Sequence, residues 1–449
     1  MPKKPSSGWR CQQCGYAAPK WYGRCPDCGE FGTFVEEISS RGASGSTNAA
    51  PARNTVRLGD VAHSGTERVP TGVSEFDRVL GGGLVRGSFV LLAGEPGIGK
   101  STLLLQAAAS LVERGSKVLY VCGEESVEQV KLRASRVGAA DGIWLLPEVD
   151  AAIVEATALA ERPDVLMIDS IQTMVDTDLD GVAGSVGQVR ASASRLMRLS
   201  KIEGMTVVVV GHVTKEGTVA GPRVLEHTVD AVLSFEGDRD HVFRIVRATK
   251  NRFGSVSEIG VFEMGESGLV GVDNPSSVLL SDRAQGVPGS CVLATVEGTR
   301  PLLVEVQALV TPSYLQMPRR LAVGVETARV LQSLAVLERR AGLSFAQHDV
   351  YVSIAGGVRV TEPAVDLPLA LALASARLDV SLAPGAVAFG EIGLTGEVRG
   401  VRHTPARITE AGRMGLGPVF LAASSASADG KPSLRPIVSV KEAVESVGR

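Results

Sequence analysis

Residues 88–113, SFVLLAGEPGIGKSTLLLQAAASLVE, restrict this chain more than any other stretch. Gly94, Gly99, Lys100 and Ser101 fit G-x-x-x-x-G-K-[ST] in full. An apolar run over 89–93 leads in as a buried strand, and Leu103, Leu104, Ala107, Ala108 and Leu111 lead out at helical spacing. Glycines let the backbone turn its N–H groups inward around a phosphate, and the helix N-terminus adds its positive dipole end. The expected nucleotide contacts are Gly94, Glu95, Pro96, Gly97, Ile98, Gly99, Lys100, Ser101 and Thr102. Within them Lys100 reaches the β/γ-phosphates and the Ser101 hydroxyl binds Mg²⁺. The stretch predicts a nucleoside triphosphate site, with ATP and Mg²⁺ as ligands.

At 449 residues the chain has room for two or three domains. A net charge of −3 supplies no general basic field, so a nucleic-acid partner has to meet a local patch. No apolar run approaches the eighteen residues or so of a membrane span and no signal-peptide pattern occurs, which predicts a cytoplasmic chain without a membrane partner.

Four of the six cysteines form Cys11-x-x-Cys14 and Cys25-x-x-Cys28, each pair followed by glycine. Four thiolates at that spacing suit tetrahedral Zn²⁺, or less often iron; redox-active CxxC is the competing reading. Lys3, Lys4, Arg10, Lys20 and Arg24 lie among Trp9, Tyr16, Trp21 and Tyr22. Either these hold nucleic acid by phosphate contact and stacking, or the rings pad a core too small to stand without metal. Residues 39–54, SSRGASGSTNAAPARN, are small and polar with nothing to bury and read as a flexible linker. The zinc module then spans 1–38.

From 55 to 273 strands and helices alternate, which predicts a parallel sheet covered on both faces. Ser74 is expected to cap a helix over 75–80 that Gly81–Gly83 stop. Strands are expected over 118–122, 143–146, 164–169 and 205–211, with helices over 151–161 and 188–201 and one opening at Ser126. Asp169 ends its strand as the carboxylate on the Mg²⁺ side, with Ser170 beside it. Glu124 is the candidate general base that orients the attacking water, and Glu125 its runner-up. His212 is either a γ-phosphate sensor or an ordinary turn histidine. Two glycine-rich segments, 176–187 and 213–222, follow strand tips, where ligands lie in such sheets. RATKNRFG at 247–254 gathers Arg247, Lys250 and Arg252 around Asn251 and Phe253. Such a cluster serves as a trans-acting finger, as a phosphate-backbone contact, or merely as a solvated edge.

Near residue 274 the alternation breaks, and 274–449 read as an α+β domain. Strands are expected over 290–296, 302–309, 350–354 and 418–421, helices over 329–341, 365–376 and 405–414, and a hairpin of 386–393 with 397–401.

The succession of cysteine knuckle, linker, PTGVSEFDRVLGGGLVRGSFVLLAGEPGIGKST, VCGEES, LMIDSIQT and TKNRFG resembles the bacterial RadA (Sms) family. These are RecA-like ATPases acting on recombination and repair intermediates. The match spans nearly the whole chain, and KNRFG at 250–254 is distinctive of the family. The resemblance implies a zinc finger and a RecA-like core forming a homo-hexameric ring on single-stranded and branched DNA. It also implies a tail similar to the Lon protease domain (ribosomal S5 domain 2-like) and RecA recombinase as a partner. Lys250 and Arg252 are implied to lie across a subunit interface or near DNA, as catalytic cations for a neighbour's nucleotide. Lon's protease site pairs a serine with a lysine. Here PAVDLPLAL puts Leu369 at the nucleophile position and GEIGLTGEVRGVRHTPAR puts Pro405 at the lysine position, while Lys431 and Lys441 stand far downstream. The expected function is therefore a DNA-dependent ATPase promoting branch migration or unwinding, without proteolysis. The alternative is an ATP-switched DNA-binding scaffold or loader that does not translocate.

Overall fold

The computed structural model describes residues 7–11, 13–38, 57, 67–138, 141–212, 222–237, 243–426 and 433–448. The expected linker 39–54 and all but Pro222 of the expected loop 213–222 lie outside them. The chain divides into two compact units, residues 1–237, 244–256 and 262–271 in the first and 238–243, 257–261 and 272–449 in the second.

The first unit is built on a sheet with nine strands among the described residues. From edge to edge these are Gly268–Gly271, Ile259–Gly265, Arg244–Asn251, Ala231–Glu236, Phe89–Gly94, Thr206–His212, Val165–Asp169, Val118–Cys122 and Trp144–Leu146. From Ala231–Glu236 to Trp144–Leu146 every neighbour pair is parallel. Strands buried on both faces need apolar residues at successive positions, and FVLLAG, VLYVC, VLMID and TVVVV supply them. Val90, Leu92, Tyr120 and Met167 pack with the helix Lys100–Glu113. Leu91, Val121, Ile168 and Val209 pack on the other face with Ala151–Glu161 and Val186–Lys201.

Two expectations for this unit are corrected. The sheet is not wholly parallel: Arg244–Asn251 returns antiparallel to Ala231–Glu236, and Ile259–Gly265 pairs antiparallel with Gly268–Gly271. The segment read as a basic cluster is thus largely a strand, in which Val246 and Ala248 are buried between charged neighbours. Ser74 is the first residue of its helix and not the cap; Val73 holds that position with no side-chain bond. The helix entry is held instead by Asp77, whose carboxylate accepts from the N–H groups of Thr71 (2.8 Å) and Gly72 (3.1 Å).

The second unit holds a seven-stranded sheet in the order Arg320–Val323, His348–Ile354, Arg300–Pro312, Ser290–Glu297, Val387–Ala388, Val419–Ala422, Leu434–Ile437. Its centre is the helix Asp366–Leu378, buried from Asp366 through Ser375. The expected long hairpin is shorter: only Glu391–Ile392 pairs with Val398–Arg399, while Val387–Ala388 joins the main sheet in parallel. Residues 386–389 are wholly buried, which suits an interior strand and leaves the polar turn to the hairpin.

Candidate active site and metal centre

The strand Phe89–Gly94 ends at the phosphate loop, and the helix begins at Lys100. Gly99, just ahead, has φ +120°, and a Cβ there would stand 3.1 Å from the Met264 methyl group. Only glycine takes that backbone without strain. Lys100 is 3% exposed, and its Nζ donates to Gly94 O (2.9 Å) and Glu95 O (2.8 Å) and meets His212 Nδ1 at 3.1 Å. Burial pulls its pKa down to about 8, against the raising influence of Asp169 and Glu124.

His212, the last residue of its strand, connects this lysine to Glu124, its Nε2 lying 2.8 Å from Glu124 Oε1. An ammonium only donates and a carboxylate only accepts, so Nδ1 is the acceptor and Nε2 carries the proton. Ser170 Oγ also donates to Glu124 Oε1. The His212 hydrogen bond, assisted by Ser170 and nearby Lys100, holds the Glu124 carboxyl below its ordinary range despite burial. Glu125 lines the same cleft but is paired there with Arg133 of the helix Val127–Arg136.

Asp169 is buried, and its Oδ2 accepts from the Tyr120 hydroxyl at 2.6 Å. Its Oδ1 is buried with no hydrogen-bond partner among the described residues. A carboxylate oxygen left unpaired in the interior is costly unless something binds it, and Asp169 is among the residues that line a cleft of about 320 Å³. Lys100, Ser101, Thr102, Glu124, Asp169 and His212 all line that cleft. A hydroxyl and an unpaired carboxylate oxygen beside a phosphate loop are the donor set that suits Mg²⁺.

Lys250 and Arg252 are not brought to this cleft. Lys250 Nζ donates to Glu226 O (2.5 Å) and Val229 O (2.8 Å), and Arg252 Nη1 lies 3.3 Å from Asp230 Oδ1. Asp230 also accepts from Phe89 N (2.9 Å) and Lys201 Nζ (2.5 Å), at the foot of the strand whose far end is Gly94. Five residues of strand at a rise of about 3.3 Å put roughly 16 Å between the two ends. In one chain the two cations serve the opposite end of the sheet from the phosphate loop. The loop 176–187 is tied down as well. Gln188 accepts from Asp176 N (2.6 Å) and donates to Leu179 O (2.7 Å), and Arg195 bonds Asp176 (2.7 Å) and Asp178 (2.6 Å).

In the N-terminal module the sulfurs of Cys11, Cys14, Cys25 and Cys28 all lie within 4.8 Å of one another. Cys11 and Cys28 are 3.7 Å apart, Cys14 and Cys25 3.5 Å. Tetrahedral Zn–S bonds of about 2.3 Å set neighbouring sulfurs roughly 3.8 Å apart, so the four thiols fit zinc. Gly15 N–H to Cys11 O and Gly29 N–H to Cys25 O, both 2.9 Å, close the two knuckles. Trp9 and Tyr22 pack against the small core, whereas Trp21 and Phe31 are exposed. The core-padding reading therefore holds for Trp9 and Tyr22. Cys25→Ser is expected to lower bound zinc, measured by metal analysis of purified protein, from one equivalent to well below one. Equal content in wild type and variant would mean that the four thiols are not one site.

A phosphate loop on a mostly parallel sheet, with Lys100, Glu124 and Asp169 lining one cleft, behind a four-sulfur ribbon, defines a P-loop ATPase with an N-terminal zinc ribbon. Family models agree: one for the AAA domain matches residues 62–218, and one for the rubredoxin metal-binding domain matches 9–36. The DNA repair protein RadA of Bacillus subtilis is 45% identical over 99% of this chain and 98% of its own. That of Streptococcus pyogenes serotype M6 is 49% identical over 94% and 93%, and that of Listeria monocytogenes 46% over 93% and 92%. The chain belongs to the RadA family.

Sequence reasoning missed Tyr120 and Asp230. The first sits inside an apolar strand and the second acts through a contact 141 residues away, so neither carries a local signal. No helix among the described residues is long and apolar enough to cross a membrane.

Proposed function

We propose that this chain is a DNA-dependent ATPase that processes recombination intermediates during DNA repair, driving branch migration or unwinding alongside a RecA recombinase. One observation carries the reading. Lys100, Glu124, Asp169 and His212 converge on one cleft in a chain that matches a DNA repair protein over 99% of its length.

Lys100 leaves the carbonyls of Gly94 and Glu95 and takes the β/γ-phosphate oxygens of ATP as its acceptors. Mg²⁺, held by Ser101 and Asp169, supplies charge neutralisation across those phosphates. Glu124 is the general base, since Glu125 is engaged by Arg133. With its carboxyl kept ionised beside His212, Glu124 accepts a hydrogen bond from water and aligns it with the γ-phosphorus. His212 bridges that base and Lys100, so a phosphate drawing the lysine away also frees the imidazole, which makes His212 the γ-phosphate sensor. Lys250 and Arg252, remote from their own cleft, act on the nucleotide of a neighbour in a homo-hexameric ring or on DNA. The domain boundaries follow as zinc module 1–38, linker 39–54, ATPase domain 55–273 and Lon-like domain 274–449. That last domain is a scaffold and not a protease. Leu369 is fully buried in its helix, and Pro405 opens another without an amine.

Turnover measured with and without single-stranded DNA tests the reading. DNA is expected to raise turnover in wild type, and Lys250→Ala and Arg252→Ala are each expected to abolish most of that rise. Stimulation undiminished in both variants would remove the role given to these cations. Strand displacement on forked DNA with ATP, absent with a non-hydrolysable analogue, separates a motor from an ATP-switched loader.

A further inference from the structure

The Asp169 carboxylate has two inequivalent oxygens, and a single hydroxyl makes them so. Tyr120 lies in the middle of VLYVC, opposite Met167 across the parallel pair, and is 1% exposed. Phenylalanine or leucine would fill that interior position as well, because the ring packs in the apolar layer beneath the helix Lys100–Glu113. The hydroxyl adds one thing, the 2.6 Å bond to Asp169 Oδ2. Buried tyrosine hydroxyls need a partner, and here the partner is the carboxylate at the mouth of the cleft. Oδ1 is left buried without a hydrogen-bond partner among the described residues, on a carboxylate that lines the same cleft as Lys100 and Ser101.

We propose that Tyr120 is a positioning residue that sets metal choice: by occupying Asp169 Oδ2 it fixes the plane of the carboxylate and offers only Oδ1 to the nucleotide-bound cation. The inference rests on the reading of this cleft as an ATP·Mg²⁺ site. A carboxylate with both oxygens free turns about its last torsion and can chelate through two atoms. Ca²⁺, with six to eight oxygen ligands in a loose geometry, accepts that mode. Mg²⁺ demands near-octahedral geometry with short bonds and favours a single oxygen held in place. Hydrogen bonds to ligating carboxylates of this kind tune metal affinity by about 10–100-fold. The phenol is therefore a selectivity device as well as a brace.

The test uses full-length protein and a fluorescent ADP whose binding is titrated with Mg²⁺ and, separately, with Ca²⁺. Tyr120→Phe is expected to raise the Mg²⁺ concentration for half-maximal metal-dependent binding by about 10-fold. The Ca²⁺ midpoint should move far less, and binding in EDTA should not change. Tyr120→Met removes the hydroxyl in a softer side chain and is read the same way should the phenylalanine variant not fold. On an Asp169→Ala background, Tyr120→Phe should add nothing. Mg²⁺ and Ca²⁺ midpoints that stay put or move together in the Tyr120 variants, while Asp169→Ala raises the Mg²⁺ midpoint, would overturn the proposal and leave the site reading standing. A Mg²⁺ midpoint indifferent to Asp169→Ala as well would overturn both.

Discussion

Exchanging Lys100 for alanine is expected to lower ATP turnover by roughly 10²–10³-fold, the usual cost of losing one preorganised donor to developing negative charge. Thermal unfolding should stay where it is. Lys100 is desolvated by burial, which is why its pKa falls to about 8. Its removal ends that penalty and at the same time frees two carbonyls, Gly94 O and Glu95 O, to take water. These effects oppose each other. Phosphate release at saturating ATP and Mg²⁺, read beside a melting curve, distinguishes a lost catalytic group from a lost fold. Turnover within a few-fold of wild type in a folded variant would withdraw the assignment of the cleft.

The second large effect lies in the other unit. Arg407 is 1% exposed, and its guanidinium is forked onto Glu362 at 2.9 and 2.6 Å, with Nε on Arg402 O at 3.0 Å and Phe389 beneath. Glu362 further accepts from Thr295 Oγ1 (2.6 Å) and Val296 N (3.0 Å), so one carboxylate joins the sheet to two helices. Glu362→Ala leaves a buried cation uncompensated, a change that typically destabilises by about 3–5 kcal/mol. The loss should appear in denaturant-dependent amide exchange of 290–312, where it is local to this unit. The double variant Glu362→Leu/Arg407→Met should recover most of it, because the cost is the stranded charge and not a missing contact. Burial alone would push the Glu362 carboxyl up, but the Arg407, Thr295 and Val296 donors outweigh it and hold it below the ordinary 4.5. A carboxylate depressed on folding stabilises fully above its unfolded pKa and stops doing so as pH falls through the folded one. The stability gap between wild type and Glu362→Gln is therefore expected to be constant above about pH 5 and to close as pH drops below 4.5. A gap that widens in acid would contradict the ion pair.

The interior of the nucleotide unit was legible because parallel strands covered on both faces must be apolar residue after residue, and 89–93, 165–168 and 207–210 are. The antiparallel extension was not. In RIVRATKN the charges dominate the eye, and Val246 and Ala248 supply only a faint alternation. Strands of two to four residues, such as Arg320–Val323 and Leu434–Ile437, are too short for any period to show. The phosphate loop and the four cysteines are local motifs whose chemistry demands fixed spacing, and the sequence displays them directly. What holds Lys250 and Arg252 is long-range instead. Arg68 Nη2 donates to Phe253 O across 185 residues at 2.5 Å, and no local pattern encodes such a bond.

The zinc ribbon has a consequence of its own. Its buried core is Cys11, Ala18, Cys25 and Phe34, so half of what keeps water out is also what grips the ion. Chelation would not simply empty a pocket; it would melt the module, because four such residues are far too few to offset the entropy of ordering it. The sheet of the nucleotide unit draws on dozens of buried side chains and would not notice. The lifetime of the folded ribbon is thus set by the free zinc around it.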